Sequence, residues 1–288
     1  MIPSLPQSKF STRLYAAYIT LFFIYLGAPL IVVGVFAFND SLFPSMPWNG
    51  VTLDWFIGTE APRLGVFNDS QLLESIGFSA FVAVCVTTLA VFVGTCNAFL
   101  FERHSFPGKN ILYMFALMPL VIPGVILGIS ILIFTNSIAN GVEDSLGWDL
   151  EILRPGLFIV IMGQFAFVTT ITTLVISARL RKFDNSLEEA ALNLGATKWE
   201  AVQTITLPFL KPAMIGAGII SFLMSFENFN TTLMLVGSDS PLTITMFDRL
   251  KQGSTPALNA VSLMLMIVSG ALALFAVFVQ RDKSNNEG

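Results

Sequence analysis

Residues 189–208 read EAALNLGATKWEAVQTITLP, a polar and regular stretch set between two long apolar runs. Just ahead of it, Ser186-Leu187-Glu188-Glu189 has the form of a capping box. In such a box the Ser hydroxyl accepts from the amide three residues on, and Glu189 reaches back to the amide of Ser186. The helix begun there meets Gly195 about two turns later, a residue suited to left-handed termination. Thr197-Lys198-Trp199-Glu200 offers a second box. That helix is predicted to run to Pro208, which has no N–H to donate and turns the chain toward the next apolar run. Two short helices joined at a glycine make a rigid connector. Ala190 and Ala191 leave a small-residue face on the first helix, where another surface can approach closely. On these grounds alone the segment is either an ordinary surface helix pair lying on a membrane or a joint to another protein.

What surrounds the stretch is strongly apolar. Of 288 residues, 54% are hydrophobic and only 12% are charged, against about 25% charged in soluble domains. The 27 phenylalanines add to an apolar excess too large for one water-soluble core. The excess falls into runs long enough to cross a bilayer, which takes about 20 apolar residues. Six spans follow, at about 15–38, 72–100, 111–135, 156–177, 212–236 and 257–279, in a single transmembrane domain over 1–288. The fold class is therefore all-α and polytopic. The first run is flanked by bulky residues without a small-residue cleavage site, so it reads as a retained span and not a signal peptide. Cys85 and Cys96 both fall inside the second span and read as small buried hydrophobes, not as a disulfide framework.

Charge orients the spans. Lys9, Arg13, Arg103, Lys109, Arg179, Arg181, Lys182, Lys198, Lys211, Arg281 and Lys283 lie in one alternating set of segments: 1–14, 101–110, 178–211 and 280–288. They are eleven of the fifteen basic residues; only Arg63, Arg154, Arg249 and Lys251 lie in the other set. By the positive-inside rule both termini and the 178–211 loop are cytoplasmic. The opposite segments are acidic. The first of them, 39–71, holds Pro44, Pro47, Trp48, Trp55 and Pro62. It reads as a structured cap on the membrane surface or as plain interfacial anchoring by Trp.

No catalytic constellation is visible. His104 is the only histidine and reads as a solvated hinge residue. No Cys and His spacing suits a metal, and no G-x-x-x-x-G-K-[ST] phosphate loop occurs. Glu227 is the carboxylate placed well inside a span. Rising about 1.5 Å per residue from Pro212 puts it about 22 Å along the fifth span, with Asn230 and Thr231 on its face at i+3 and i+4. A carboxylate there faces a bundle interior or water. The patch serves as a solute contact, as interhelical hydrogen-bond glue or in proton coupling. Gln164 and the run Thr169-Thr170-Ile171-Thr172-Thr173 line the same interior or bond back to their own helix. Pro119, Pro123, Gly124 and Gly128 interrupt the third span, to line a cavity or simply to kink it.

Glu189-Ala190-Ala191, then Gly195, then Ile205-x-Leu207-Pro208 resembles the EAA motif of the membrane subunits of binding-protein-dependent ABC importers, in spacing and in its place before the penultimate span. In that family the segment, here about 184–208, is the coupling helix that docks in a cleft of the cytoplasmic ATPase. Three further stretches resemble spermidine/putrescine-type permeases: Arg103 to Lys109, Pro123 to Ser130, and Ser225-Phe226-Glu227-Asn228. One position departs from that pattern, since those permeases often carry an acidic residue just after the proline and this chain has Gly124. The resemblance implies a type I ABC importer permease fold in a bacterial inner membrane. It implies an ATPase homodimer below, carrying ATP and Mg so that this chain needs no cofactor. It also implies a second, different permease chain beside this one, lipid around both, a periplasmic solute-binding protein above and no nucleic acid. The solute implied is a small organic compound, a polyamine or another amine-bearing molecule, moved by alternating access. Two alternatives stay open: a secondary transporter driven by an ion gradient, and a non-transporting membrane scaffold that recruits a cytoplasmic partner.

Overall fold

The computed structural model describes residues 9–253 and 255–281; Lys283, counted above with the cytoplasmic cations, lies outside the described residues. Among these the fold is helical, with a single isolated bridge pairing Asn39 and Val51. In chain order the helices are α1 (Lys9–Phe36), α2 (Asp54–Ile57), α3 (Ser70–Arg103), α4 (Lys109–Val121), α5 (Gly124–Leu146) and α6 (Leu157–Leu180). After them come α7 (Ser186–Asn193), α8 (Lys198–Ala201), α9 (Leu207–Phe226), α10 (Thr232–Leu235), α11 (Leu242–Gln252) and α12 (Pro256–Arg281). Six helices are long and apolar enough to cross a membrane: α1, α3, α5, α6, the continuous run Lys198–Phe226, and α12.

Two of the expected spans are not single helices. The third, expected at 111–135, breaks between α4 and α5 at Ile122 and Pro123. Ile122 is extended (φ −75°, ψ 128°), as a residue before proline prefers to be. Helix α5 then runs on to Leu146, so 136–146, expected in a loop, is helical. The fifth, expected at 212–236, stops at Phe226 and resumes only as the short α10.

Pro208 does not end a helix either. A π turn over Val202–Thr206 joins α8 to α9 without interruption, and the Leu207 amide reaches back five residues to the Val202 carbonyl. The wider turn gives the Pro208 ring clearance from the preceding carbonyls, which a regular α-turn would deny it.

The chain divides into two compact units. The first contains, among the described residues, 9–70, 249–253 and 255–267. Its 39–69 segment has its own small core. Trp55 is 1% exposed and donates from Nε1 to the Asn39 carbonyl at 2.8 Å. The Asn39 side chain is equally buried. It donates to the carbonyls of Ser45 and Pro47 and accepts from the Asn49 amide. Arg249 closes the unit with a bidentate pair to Asp69 at 2.6 and 3.0 Å. Trp55 thus belongs to a packed cap, whereas Trp48 stays exposed with its ring edge-on to Phe36.

The second unit contains, among the described residues, 71–248 and 268–281. Helix α6 is its most enclosed member and packs most extensively against α9. Val82, Val86 and Ala90 of α3 meet Ile159, Val160 and Val168 of α6 and Leu235 of α10. Toward the other end, Ala98, Ile176, Leu180, Phe183, Leu210 and Ala217 form a second cluster. Where lipid is as apolar as leucine, such contacts hold by packing and not by exclusion of water. For the same reason apolar does not mean buried here. Cys85 is only half-buried and Cys96 is exposed, contrary to the sequence expectation.

Candidate functional site

The polar segment is built as two capped helices with a glycine between them. The first cap differs from the expected box: α7 starts at Ser186 with Asn185 at its N-cap and no side-chain cap. The Ser186 amide is taken by Asp184 Oδ1 at 2.9 Å instead. That amide, with the Ser186 hydroxyl, holds the exposed Asp184 carboxyl below the usual carboxylate range. An aspartate two residues ahead reaches the free amide before a glutamate three residues on can. The second box forms as expected. The Glu200 amide donates to Thr197 Oγ1 at 3.3 Å, and the Thr197 amide donates to Glu200 Oε2 at 2.7 Å. Gly195 has φ +93°, and α7 closes onto it through Gly195 N–H to Leu192 O and Ala196 N–H to Ala191 O, both 3.0 Å.

One residue that the sequence reading passed over fixes the segment to the bundle. Glu188, not Glu189, is the anchor. It accepts from Arg103 Nη2 at 3.1 Å and from the Thr206 hydroxyl in the π turn. Arg103, at the end of α3, also donates to Asn185 and lies over the Phe183 ring, 5.1 Å from its centroid. The Glu188-Glu189 doublet was visible in the sequence. Only the helix phase separates its members.

Glu189, Ala190 and Gly195 point outward, Ala191 is half-buried, and Pro208 is exposed. Around them Leu187, Leu192, Leu194 and Trp199 are exposed as well, Leu194 at 90%. Ile205 and Leu207 turn the other way. Ile205 packs on the Ala98–Leu180–Leu210 cluster, and Leu207 lines an apolar groove of about 450 Å³ with Phe92, Cys96, Trp199 and Met214. The seven residues of the motif therefore divide between an outward face and an inward footing.

The second group, Glu227, Asn230 and Thr231, is not one helical face. Glu227 is the C-cap of α9, exposed, and accepts from the Ser269 hydroxyl at 3.3 Å. Asn230 is exposed in the break. Thr231 is buried and donates to the Gly124 carbonyl at 3.3 Å. The approach is close: a Cβ at Gly124 would lie 3.1 Å from Asn230 Cβ and 3.2 Å from Thr231 Oγ1. The break between α4 and α5 thus abuts the break between α9 and α10. Behind it, Ser225, Gln164, Thr232 and Asn228 form a hydrogen-bonded chain, of which only Thr232 went unnamed in the sequence. Of the threonine run, Thr170 donates to the Ala116 carbonyl of α4 and Thr172 meets Ser221, while Thr172 and Thr173 also bond back to their own helix. Glu74, also missed, lines a polar cleft of about 270 Å³ with Asp239, Ser75 and Ser240.

Comparison with known proteins bears on the chain as a whole. Residues 87–281 match the model of the family described as "Binding-protein-dependent transport system inner membrane component". The chain is similar to the putrescine transport system permease protein PotI of Escherichia coli (strain K12), 29% identical over 259 residues, covering 89% of this chain and 87% of that one. It is similar to the spermidine/putrescine transport system permease protein PotC of the same strain, 26% identical over 285 residues, covering 99% and 97%. Among solved structures it resembles a chain of a bacterial ABC transporter involved in the import of the acidic polysaccharide alginate, with TM-score 0.72, 20% identity, and 95% and 96% covered. That likeness shows the fold.

Proposed function

The chain belongs to the family of binding-protein-dependent transport system inner membrane components, and we propose from that premise how its two candidate sites divide the work. It is a multi-pass inner-membrane permease subunit of an ABC importer. The family supports neither the ion-driven transporter nor the scaffold. The solute we propose is a small amine-bearing compound of the polyamine type, in line with the solutes for which PotI and PotC are named. A pair of identical ATPase subunits, carrying the ATP and Mg, docks on the face of Glu189, Ala190, Ala191 and Gly195. A second permease chain completes the path, and a periplasmic solute-binding protein delivers the solute. Both termini and the 178–211 loop lie in the cytoplasm.

The observation that supports this reading best is the exposed apolar rim of α7 and α8. Leu194, with Leu187 and Leu192 beside it, stands out from a segment whose other side is tied down through Glu188. A rigid piece, anchored on one side and bare on the other, transmits displacement. Force on its outer face reaches α3 through Arg103 and α9 through the π turn. Glu227 and Asn230, at the break in α9, make weak contact with the solute as it passes.

The orientation has a direct check. A cysteine at exposed Glu60 should react with an impermeant thiol reagent in whole cells, and one at exposed Lys198 should react only after lysis. The reverse pattern overturns the topology.

The solute contact is tested at Glu227. Glu227→Gln keeps the shape and a hydrogen-bonding amide and removes the charge. Uptake of putrescine or spermidine by the reconstituted importer should drop about tenfold, a size expected of one lost charged hydrogen bond. Assembly and the affinity of the binding protein for solute should hold. Wild-type uptake by Glu227→Gln, together with failed assembly of Glu227→Leu, would make Glu227 structural.

A further inference from the structure

The break between α9 and α10 owes nothing to glycine or proline. Residues 219–236 contain neither glycine nor proline, which account for most sharp interruptions of helices. Yet the helix stops at Phe226 and resumes at Thr232. Between them the amides of Phe229, Asn230 and Thr231 find no backbone acceptor. Unpaired amides are costly away from water, so side chains must hold the segment unwound, and Asn228 within it is not alone in doing so.

Gln164 of α6 is placed to do this. It is 2% exposed, and both ends of its amide are used. Its Oε1 accepts from the hydroxyl of Ser225, in the last turn of α9, and its Nε2 donates to Thr232 Oγ1 at 2.8 Å, at the start of α10. One side chain therefore grips both lips of the break. The Thr232 hydroxyl donates onward to Asn228 Oδ1 at 3.0 Å, which also accepts the Thr232 amide at 3.3 Å.

Geometry makes this grip selective. In a continuous helix Ser225 and Thr232 would be about 10.5 Å apart along the axis, at about 1.5 Å per residue. The two hydrogen bonds of one amide span less than about 8 Å. Gln164 can hold both hydroxyls only while 227–231 is unwound, so it discriminates between two states of that segment.

We propose that Gln164 is a positioning residue for solute passage. It selects the unwound state, which sets Glu227 and Asn230 free of the helix, and when the clamp opens the segment rewinds into one helix from α9 through α10. Rewinding pairs the three orphan amides and withdraws Glu227 and Asn230 from the break. The role in passage rests on the reading of Glu227 and Asn230 as solute contacts; the clamp itself does not.

The test uses the assembled importer in lipid nanodiscs, with amide hydrogen exchange read over 227–232 by mass spectrometry. Gln164→Leu and Thr232→Val each remove the clamp from one side. Exchange at 229–231 should slow about tenfold or more in both, the size expected of a lost buried hydrogen bond. Gln164→Glu, whose protonated acid still accepts from Ser225 and donates to Thr232, should keep the wild-type exchange. Putrescine uptake should fall about tenfold in the first two variants and not in the third. Unchanged or faster exchange in both Gln164→Leu and Thr232→Val overturns the clamp, whatever uptake does. Slowed exchange with undiminished uptake leaves the clamp standing, and removes Glu227 and Asn230 from the path and Gln164 from passage.

Discussion

Gly195→Asp is expected to abolish coupled transport in a permease that still inserts and folds. At φ +93° the backbone of residue 195 sits where a side chain is strained, at about 1–2 kcal/mol for a residue with a Cβ. No atom lies within 4 Å of the position that Cβ would occupy, so the damage is not a clash within this chain. It is a change in how α7 ends. The closing bonds from Gly195 and Ala196 loosen, Leu194 and Trp199 lose their fixed spacing, and a negative charge lands on the face proposed for docking. ATPase co-purification and uptake by proteoliposomes should both fall at least tenfold, as when about 1.4 kcal/mol or more is lost at a joint. Gly195→Asn is the control, since it sets a side chain of the same shape on the same left-handed backbone and brings no charge; it should keep more of both, and the difference is the share carried by the charge. If Gly195→Asp co-purifies and transports like wild type, the docking assignment is wrong.

Trp55→Ala should unfold the 39–69 segment while leaving the membrane helices in place. Truncating a buried Trp costs about 3–5 kcal/mol, a large share of what so small a core holds. Trp55 is 1% exposed, and its Nε1 satisfies the Asn39 carbonyl. Asn39 in turn orders Ser45, Pro47 and Asn49. Protease added to spheroplasts, in which the outer face of the inner membrane is open, should cut 39–69 quickly in Trp55→Ala and slowly in wild type. Trp55→Phe, which keeps a ring but leaves the Asn39 carbonyl without its partner, should fall between, at about 1–3 kcal/mol. If Trp55→Ala resists proteolysis as wild type does, the segment is held by membrane anchoring and not by its own core.

What could be read in the sequence was whatever a single segment decides for itself. The six apolar runs declare themselves by length, because a bilayer has a fixed thickness. Thr197 and Glu200 cap each other across four residues, so that box was legible. The interruption near Pro123 was legible too, because proline carries its own cause. The break after Phe226 was not. Glu227-Asn228-Phe229-Asn230-Thr231 holds no glycine or proline, and the side chain that bridges the break, Gln164, comes 61 residues before Ser225. The Ser186–Glu189 box failed for a more local reason: Asp184 competes for the same amide and is nearer. Glu188 and Glu189 differ in role only by the 100° that one residue turns in a helix. That difference has meaning only once Arg103 and Thr206 are in place on one side.

The π turn at Val202–Thr206 has a similar arithmetic. A π turn amounts to one residue more than an α-helix of the same length needs. Deleting one residue there would leave a regular α-turn of about the same length, so Leu194, Trp199 and Glu189 would still be present, still exposed and still aimed much as before. The cost would fall on the footing, where the Pro208 ring would meet the carbonyl of the preceding turn that the wider turn now keeps clear of it. The extra residue thus works as a shim, which lets a stiff ring sit in a continuous rod without moving what the rod carries.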